Sequence, residues 1–433
     1  MRLLLVTVGS RGDAEPFQAL TDALTAAGHV VDLYMQPEHN FAPAKPELVT
    51  LHPFPFSTTD FYTYAAKPRY GQDHENPRVK FVGVVAEVVS QLVLPCMKDV
   101  LKVAEGCDVL VCSSLPRHMC FCIGKMLRKP VGLIHLQPLV PTKAFPHYSA
   151  ENAVDCILKG GSSDENEQTY WTFEQYNFDF LKEDLQKVVD ETLGTDAMIS
   201  FEDFRSMFGG ASDLAHGFNC FSSDLCPAPA EGHIHDIGAL ADAYIPASFS
   251  EPSDLLQFLQ ELGDGNPPVA IGFGSMPFGQ AEAVIQGLES LRCPAVLVGK
   301  ALANFQATEW TKKNILQVDS VAYPWLLPRC RCMLSHGGAG VLHSTLRAGI
   351  PAIIAPLIGD QFVFAKLIDA RELGVNAGPM NALTADGLVA SLKALEGPRG
   401  ERCANNARDF AAKVKDKNSP AKLVELLEKM KPS

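Results

Sequence analysis

One stretch near the carboxyl-terminal end combines a histidine, closely spaced glycines and a carboxylate next to an amide. In chain order these residues are Ser335-His336-Gly337-Gly338-Ala339-Gly340 and Gly359-Asp360-Gln361. The glycines let backbone amides approach an anion, and a helix beginning near Gly340 points its positive end at the same place. His336 can donate to a phosphoryl oxygen, and Asp360 with Gln361 can bind sugar hydroxyls. The stretch predicts a site for a diphosphate joined to a sugar.

Alternating apolar strands and helices must position these residues. Arg2–Val8, Glu15–Ala27 and His29–Met35 predict a right-handed strand–helix–strand unit, and a second alternation begins at Val269–Phe273. The fold class is therefore α/β, with two doubly wound, Rossmann-like domains whose strand ends face a cleft. We predict an N-terminal acceptor domain over 1–225, a proline-rich linker over 226–252, a C-terminal donor domain over 253–405, and helices over 406–433 that pack back across the domains.

Composition excludes several classes of partner and site. The chain has 433 residues and a formal net charge of −13, which disfavours nucleic acid and a purely electrostatic membrane contact. Its 12 cysteines lie mostly in apolar segments, as small core side chains do, and their spacing does not suggest zinc. We expect no membrane-spanning segment of about 20 apolar residues. The short apolar start does not suggest a secretory signal, so we expect a cytoplasmic protein.

Further segments stand in a fixed order along the chain: Gly9-Ser10-Arg11-Gly12-Asp13, Pro141-Thr142-Lys143-Ala144-Phe145-Pro146-His147, Ile271-Gly272-Phe273-Gly274-Ser275 and Trp325-Leu326-Leu327-Pro328-Arg329. With the stretch from His336 to Gln361, they resemble the motifs of the GT-B glycosyltransferases of family 1. The narrower resemblance is to the sterol 3β-glucosyltransferases and their bacterial antibiotic-glycosylating relatives. It covers nearly the whole chain and is loosest over 151–210. It implies a GT-B fold.

The resemblance also implies an activity. It implies inverting transfer of glucose from UDP-glucose to the hydroxyl of a sterol or similar lipophilic alcohol. Asp13 matches the general base of the family, although capping the following helix is its structural alternative. No D-x-D pattern occurs in the chain, so we expect transfer without a metal and no cofactor beyond the donor. The donor diphosphate is expected at Ser10, Gly274, Ser275, His336, Gly338, Ala339 and Gly340.

The remaining site residues follow the same resemblance. Asp360 and Gln361 are expected to bind the sugar, and Val321 and Trp325 the uracil. Trp325 could instead anchor the short helix before Pro328. His135 and Phe145 belong to a group of aromatic and apolar residues, Phe173 and Tyr176 among them, that is predicted either to line the acceptor pocket or to form ordinary core.

Two departures from the family pattern leave other functions open. Val341 and Leu342 stand where relatives place Thr or Ser, and Ser344 where plant-type members place a ribose-binding Glu. The alternatives are a glycosyltransferase for a polyketide or terpenoid and a non-catalytic lipid- or nucleotide-binding protein. A dehydrogenase is disfavoured because the loop after the first strand is not G-x-G-x-x-G. We expect no large N-terminal extension of the kind found in fungal members, so we expect any peripheral membrane contact for access to the acceptor to come from the catalytic unit itself.

Overall fold

Buried runs of Val, Leu and Ile form the strands, as expected for parallel strands that are covered on both faces. The computed structural model describes residues 1–209, 211–227, 234–263, 265–274, 278–302 and 305–430. These residues divide into two compact units. The first contains Met1–Leu240 and Asn418–Ser433, and the second contains Ala241–Lys417. Each unit is built on its own parallel sheet.

The first unit contains a seven-stranded sheet in the order β3-β2-β1-β4-β5-β6-β7, and the second a six-stranded sheet in the order β10-β9-β8-β11-β12-β13. Both orders reverse direction beside the first strand of the unit, which is the switch point where doubly wound sheets bind ligands. The predicted α/β class is thus confirmed. The strands are β1 Arg2–Val6, β2 Val30–Met35, β3 Val49–Pro53, β4 Val109–Cys112, β5 Val131–His135, β6 Ala215–Asn219, β7 Ile234–Asp236, β8 Val269–Gly272, β9 Ala295–Val298, β10 Ile315–Val318, β11 Cys332–Ser335, β12 Ala352–Ile354 and β13 Gly374–Asn376.

Helices cover both faces of each sheet. In the first unit they are α1 Arg11–Ala26, α2 Thr58–Ala65, α3 Pro77–Val88, α4 Met97–Ala104, α5 Arg117–Leu127, α6 Ala153–Lys159, α7 Asp164–Thr192 and α8 Phe201–Phe208. In the second they are α9 Ser253–Leu262, α10 Ala281–Ser290, α11 Glu309–Asn314, α12 Tyr323–Leu326, α13 Ala339–Arg347, α14 Gln361–Ala370, α15 Ala385–Ala394 and α16 Gly397–Val414. The last helix, α17 Ser419–Lys429, belongs to the first unit.

Each strand buries alternate side chains on opposite faces of its sheet. In β1, Leu4 and Val6 pack with α3, α4, α5 and α7, whereas Leu3 and Leu5 pack with α1 and α17. Helix α17 is fixed there by Ser419 Oγ, which donates to Ile237 O over 3.1 Å. Residues 226–252, predicted as the linker, include β7, and the boundary between the units falls after Leu240.

Short apolar runs in the sequence predict strands at Val109–Cys112, Val131–His135, Ala295–Val298 and Ile315–Val318. The strands β4, β5, β9 and β10 have these bounds, so the four predictions are confirmed. Helix α1 begins earlier than the predicted Glu15 because Ser10 caps it. Eleven of the twelve cysteines are buried and all twelve are free, so their prediction as core side chains is confirmed.

The expectation that no segment is long and apolar enough to cross a membrane is wrong. The helical run Pro77–Ala104 meets that criterion by length and composition. It comprises α3, a π-helical turn at Val89–Val93, a 3₁₀ turn at Leu94–Cys96 that contains Pro95, and α4. Because 67% of its most apolar window is buried, the run has the pattern of a core helix of the first unit.

Candidate active site

The loop after β1 places Asp13 at the carboxyl edge of the first sheet, beside the switch point. Ser10 is the N-cap of α1, and Asp13 stands at the third helical position. Ser10 donates to Asp13 Oδ2 from its backbone N over 2.8 Å and from Oγ over 3.2 Å. The two residues form a capping box, which ties the carboxylate to the start of the helix. The N-cap role expected as the alternative for Asp13 is therefore filled by Ser10.

The electrostatic state of Asp13 is unusual for a capping carboxylate. Burial raises its pKa from 3.8 to about 6, although the hydrogen bonds from Ser10 act in the opposite direction. Two other helices of the first unit begin with the same Ser-x-x-Asp box, at Asp60 and Asp203. Hydrogen bonds from Ser57 lower the pKa of Asp60. A pKa near 6 leaves Asp13 ionised at neutral pH but basic enough to accept a proton.

The geometry around Asp13 requires a glycine at position 9. Gly9 has a φ of +144°, and a Cβ added there would lie 2.2 Å from Asp13 Oδ2. Gly9 N donates to Gln36 Oε1 over 3.0 Å, and His39 Nε2 lies 3.1 Å from Gly9 O. Burial lowers the pKa of His39, so its neutral ring can donate to that carbonyl. Sequence reasoning missed Gln36 and His39, whose signal is their position just after β2, next to β1.

The second unit brings the predicted phosphate residues together at the switch point of its own sheet. Gly274 follows β8, and His336 follows the adjacent β11. A Cβ added at Gly338 would lie 2.7 Å from His336 Nε2, and one added at Gly274 would lie 3.6 Å from His336 Cε1. A side chain at position 338 would crowd the imidazole, whereas one at position 274 would meet it at ordinary van der Waals distance. Ser275, predicted to bind the same diphosphate, lies outside the described residues.

Helix α13 begins without a side-chain cap. Its N-cap is Gly338, the described residues give it no side-chain capping hydrogen bond, and no acidic residue lies in the first turn. The amides of Ala339 and Gly340 and the positive end of the helix dipole are therefore available to an anion. Val341, where relatives carry a hydroxyl, is the next residue.

His336 is a neutral hydrogen-bonding group at this loop. Burial lowers its pKa to about 4, so the imidazole is uncharged at neutral pH. Its Nδ1 is buried and has no hydrogen-bond partner among the described residues. A neutral imidazole carries one N–H, and the orientation of the ring beside Gly338 suits donation to an oxygen held at the start of α13.

The predicted sugar ligands lie at the start of α14. Asp360 is the N-cap residue of this helix, and its side chain makes no capping hydrogen bond. Gln361 is buried, and its Oε1 accepts from Leu357 N over 2.9 Å and from Ile358 N over 3.1 Å. The Gln361 carbonyl thus shapes the loop after β12. Only the amide nitrogen of Gln361 is left for a ligand.

The predicted uracil residues are buried in the second unit. Trp325 is 7% exposed, and its Nε1 donates to Glu251 Oε1 over 2.6 Å. The Arg329 guanidinium lies over the indole at 4.4 Å from the ring centroid, and Phe249 contacts the ring from within the unit. These contacts correspond to the anchoring role that the sequence left open. Val321 is also buried, at the end of the loop that follows β10.

The predicted acceptor residues His135 and Phe145 are fully enclosed in the first unit. His135 ends β5 and packs against Phe208 at 5.0 Å between ring centroids, and both of its ring nitrogens lack a partner among the described residues. Burial lowers the pKa of His135 to about 3. Phe145 packs against Tyr170. Both side chains are core, which was one of the two roles predicted for the group.

A cavity of about 280 Å³ lies elsewhere in the first unit, between α3, α7 and the loop that precedes α6. Two of the predicted aromatic residues, Phe173 and Tyr176, line it. Sequence reasoning missed its polar lining. The residues that the sequence did not single out are Asn76, Arg78, Ser149, Glu165, Gln168, Thr169 and Thr172.

Within the described residues, no group of three or more His, Cys, Asp or Glu side chains could hold a metal ion. This is a statement about side-chain placement only. Transfer without a metal stays a prediction.

Comparisons with known proteins agree with this geometry. Residues 302–430 match the family model for the erythromycin biosynthesis protein CIII-like C-terminal domain. The crystal structure of the glycosyltransferase of kitacinnamycin is similar over 100% of this chain and 99% of that chain, with a TM-score of 0.63 and 16% identity. The spinosyn rhamnosyltransferase SpnG complexed with thymidine diphosphate is similar over 99% and 100%, with a TM-score of 0.63 and 20% identity.

The chain has the GT-B glycosyltransferase fold. The resemblance found in the motifs is thereby confirmed for the fold and for the C-terminal family model. Among curated proteins, the chain is similar to the sterol 3-beta-glucosyltransferase UGT80B1 of Arabidopsis thaliana, with 26% identity over 91% of the chain. It is also similar to UGT80A2 of the same plant, with 23% identity over 100% of the chain. It spans 62% and 66% of the lengths of these two relatives.

In this GT-B fold, the chemically reactive groups lie in loops at the switch points of the two sheets, after β1 in the first unit and after β11 in the second. The first unit presents a carboxylate whose pKa is about 6, and the second presents an uncapped helix start beside a neutral histidine. A basic carboxylate suits proton removal from a hydroxyl. An uncapped helix start suits the phosphates of a nucleotide.

Proposed function

We propose that the chain is an inverting glycosyltransferase that moves glucose from UDP-glucose to the hydroxyl of a sterol or similar lipophilic alcohol. The observation that carries the proposal is the raised pKa of Asp13, at about 6, in a capping box at the switch point of the first sheet. The uncapped start of α13 beside His336 supports the diphosphate part of it. Similarity to the sterol 3-beta-glucosyltransferases supports the acceptor class.

The proposed reaction is a single displacement. Asp13 takes the proton of the acceptor hydroxyl, and the oxygen attacks the anomeric carbon as the bond from that carbon to the phosphate oxygen breaks. The departing diphosphate gains negative charge, which amides of Ala339 and Gly340 and the N–H of His336 stabilise. One displacement inverts the anomeric configuration, and the proton ends on Asp13. The proposal requires an acceptor held by the first unit to reach a donor held by the second.

Recognition of glucose is assigned to the start of α14. Asp360 would accept hydrogen bonds from sugar hydroxyls, and the amide nitrogen of Gln361 would donate one. Because Gln361 Oε1 is bound to the loop backbone, we expect Gln361 to act on donor choice partly through the shape of that loop. UDP-glucose should be preferred over UDP-galactose, since an inverted hydroxyl leaves a polar group unpaired.

The helix start and histidine carry charges and dipoles that could replace a metal at the diphosphate, so we propose transfer without a metal or further cofactor. The location proposed for the protein is the cytoplasm, with peripheral membrane contact for access to the acceptor.

A polyketide or terpenoid acceptor is the second candidate. The family match to an erythromycin biosynthesis domain and the similarity to the spinosyn rhamnosyltransferase favour it. The two candidates share Asp13 and the donor loop and differ only in the acceptor.

One experiment tests both. The protein is incubated with ¹³C-labelled UDP-glucose and a cell lipid extract, and products are identified by mass spectrometry, with the anomeric configuration read by NMR. A β-linked glucosylated sterol is expected. Asp13→Asn should abolish most product, whereas the matched variant Asp60→Asn, which alters the same capping box on α2, should not. Labelled polyketide or terpenoid products would favour the second candidate. UDP binding without any transfer to lipid would leave only a nucleotide-binding protein.

A further inference from the structure

The cavity between α3 and α7 has an unusual electrostatic wall. Arg78 lines it and stands at the second position of α3, where a cation opposes the positive end of the helix dipole. The first turn of α3 contains no acidic residue to offset this charge. Among the residues that the structure describes, the Arg78 guanidinium makes no hydrogen bond or ion pair. An unpaired arginine at a positive helix end is a local surplus of positive charge in a chain whose net charge is −13.

Helix α7 forms the opposite wall of the cavity, and two of the three acidic residues in its first turn are already paired. Helix α7 has Asp164, Glu165 and Glu167 in its first turn. Asp164 pairs with Lys143 at 2.8 Å, and Glu167 accepts from Trp171 Nε1 over 3.2 Å. Only Glu165 of the three lines the cavity, where it offsets the positive end of its own helix.

The loop between these walls is held rigidly. His147 N donates to Thr169 Oγ1 over 2.8 Å, which fixes the loop on α7. The His147 ring stacks on Phe173 at 4.2 Å between centroids, and Ser149 N donates to its Nδ1 over 3.3 Å. His147 Nε2 is buried without a partner among the described residues. The cavity is therefore a formed space with an apolar side at Val79, Val82 and Phe173.

The topology places this cavity at the same edge of the sheet as Asp13. Helix α3 begins after the segment that leaves β3, and the loop at Ser149 comes after β5, so both follow the carboxyl ends of parallel strands. Asp13 follows the carboxyl end of β1. Segments that follow these ends lie on one edge of a parallel sheet, where α/β proteins bind ligands.

We propose that this cavity holds the acceptor and that Arg78 selects acceptors that carry an oxyanion remote from the reacting hydroxyl. This assignment rests on the proposed function and names the preferred members of its substrate class, the lipophilic alcohols that also carry a carboxylate, such as sterol acids. At about 280 Å³ the cavity is near the lower end of ordinary small-molecule sites, so it accepts a compact ring system or one end of a longer molecule. The polar wall at Gln168, Thr169 and Thr172 can bind hydroxyls, and Glu165 can accept from one.

The test measures binding without donor. The probes are 3β-hydroxy-5-cholenoic acid, which has a hydroxyl at one end and a carboxylate at the other, and its methyl ester. Equilibrium dialysis should give an acid affinity about tenfold or more above that of the ester, since a charge-assisted hydrogen bond is lost in the ester. Arg78→Gln should remove the preference. The matched control Lys80→Gln removes the same charge from an exposed position of α3 outside the cavity and should keep it.

A second pair of variants tests the location. Thr172→Trp fills the cavity from an exposed position of α7 and should weaken binding of both probes, whereas Gln175→Trp on the same helix, outside the lining, should not. Equal binding of acid and ester, or an equal loss of preference in Lys80→Gln, would overturn the role of Arg78. Unchanged binding in Thr172→Trp would overturn the cavity as the site. UDP binding is measured in every variant, so a failure of transfer is separated from a failure of acceptor recognition.

Discussion

Replacing Asp13 by Asn should remove activity and at the same time stabilise the fold at neutral pH. The pKa of this carboxyl rises from 3.8 to about 6, mainly through burial. Two pKa units correspond to about 3 kcal/mol between the two protonation states. At pH 7 the folded protein carries the ionised carboxylate at this cost, whereas the unfolded chain does not. Asn removes the charge and can still accept from Ser10 N, so about 3 kcal/mol is the upper limit of the gain.

The pH dependence has a definite sign. Between pH 3.8 and about 6 the folded state binds the Asp13 proton and the unfolded state has lost it. The stability from this group is therefore fully present below pH 3.8 and is lost as pH rises through about 6. The advantage of Asp13→Asn over wild type should grow over that interval and be constant above it. Urea unfolding at a series of pH values measures this difference directly.

Activity should rise with pH over the same interval in which the stability contributed by Asp13 falls. The base must be ionised, so wild-type kcat/KM should fall below pH about 6 with one proton. Asp13→Asn should lose roughly 10²–10⁴-fold in kcat while binding UDP normally, because an amide cannot take the acceptor proton. UDP release with a sterol acceptor is the assay.

Asp60→Asn provides the control for both readouts. Asp60 occupies the same box position on α2, but hydrogen bonds from Ser57 lower its pKa, so its carboxylate stabilises the fold. This variant should be less stable than wild type and fully active. The reasoning is refuted if Asp13→Asn keeps near wild-type turnover, or if it unfolds more easily than wild type at pH 7.

Three further outcomes are expected. Transfer should be unchanged in EDTA, and a requirement for Mn²⁺ or Mg²⁺ would contradict the proposed role of His336 and the start of α13. Val341→Thr should supply the missing hydroxyl and tighten UDP binding several-fold or more in calorimetry, since a charge-assisted hydrogen bond contributes roughly 1.5–3 kcal/mol; unchanged affinity would mean that the loop binds phosphate differently. Burial lowers the pKa of His135 to about 3, so its contribution to stability is lost as pH falls from about 6.5 towards 3. Between pH 7 and pH 5 the free energy of unfolding should therefore fall by about 2 kcal/mol less in His135→Phe than in wild type. An equal fall in the two proteins would show that His135 is not the cause.

The parallel strands and the donor loop could be predicted from sequence because each has a strong local signal. Strands such as Val109–Cys112 are short apolar runs between turn residues, and the loop at His336 combines glycines with a strand and a helix. The edge strand β10 could be found in this way, but the edge strands β3, β7 and β13 could not. β3, β7 and β13 are short or mixed in character, and their pairing depends on neighbours distant in the chain.

The residues proposed to bind the acceptor were harder to predict from the sequence, again because their surroundings depend on distant parts of the chain. Aromatic residues such as Phe145 and Phe173 look alike in sequence, yet the first is core and the second lines a cavity. The difference depends on which helices pack together. Arg78 carries no sequence signal at all, because a charged residue near the start of a helix is ordinary until its surroundings are known.

The capping boxes explain why the role of Asp13 needed the structure. Ser10-x-x-Asp13, Ser57-x-x-Asp60 and Ser200-x-x-Asp203 have the same sequence pattern, and each forms a capping box. Burial at Asp203 is outweighed by hydrogen bonds from Ser200 and by Lys125, so the pKa of Asp203 is lowered, as that of Asp60 is. Asp13 differs because its box follows a central strand directly and burial there outweighs the hydrogen bonds from Ser10, whereas Asp60 is exposed. A capping carboxylate can therefore act as a base when its capping box follows a central strand, where the carboxylate is buried. The sequence does not state which strand is central, so the structure was needed to distinguish Asp13 from Asp60 and Asp203.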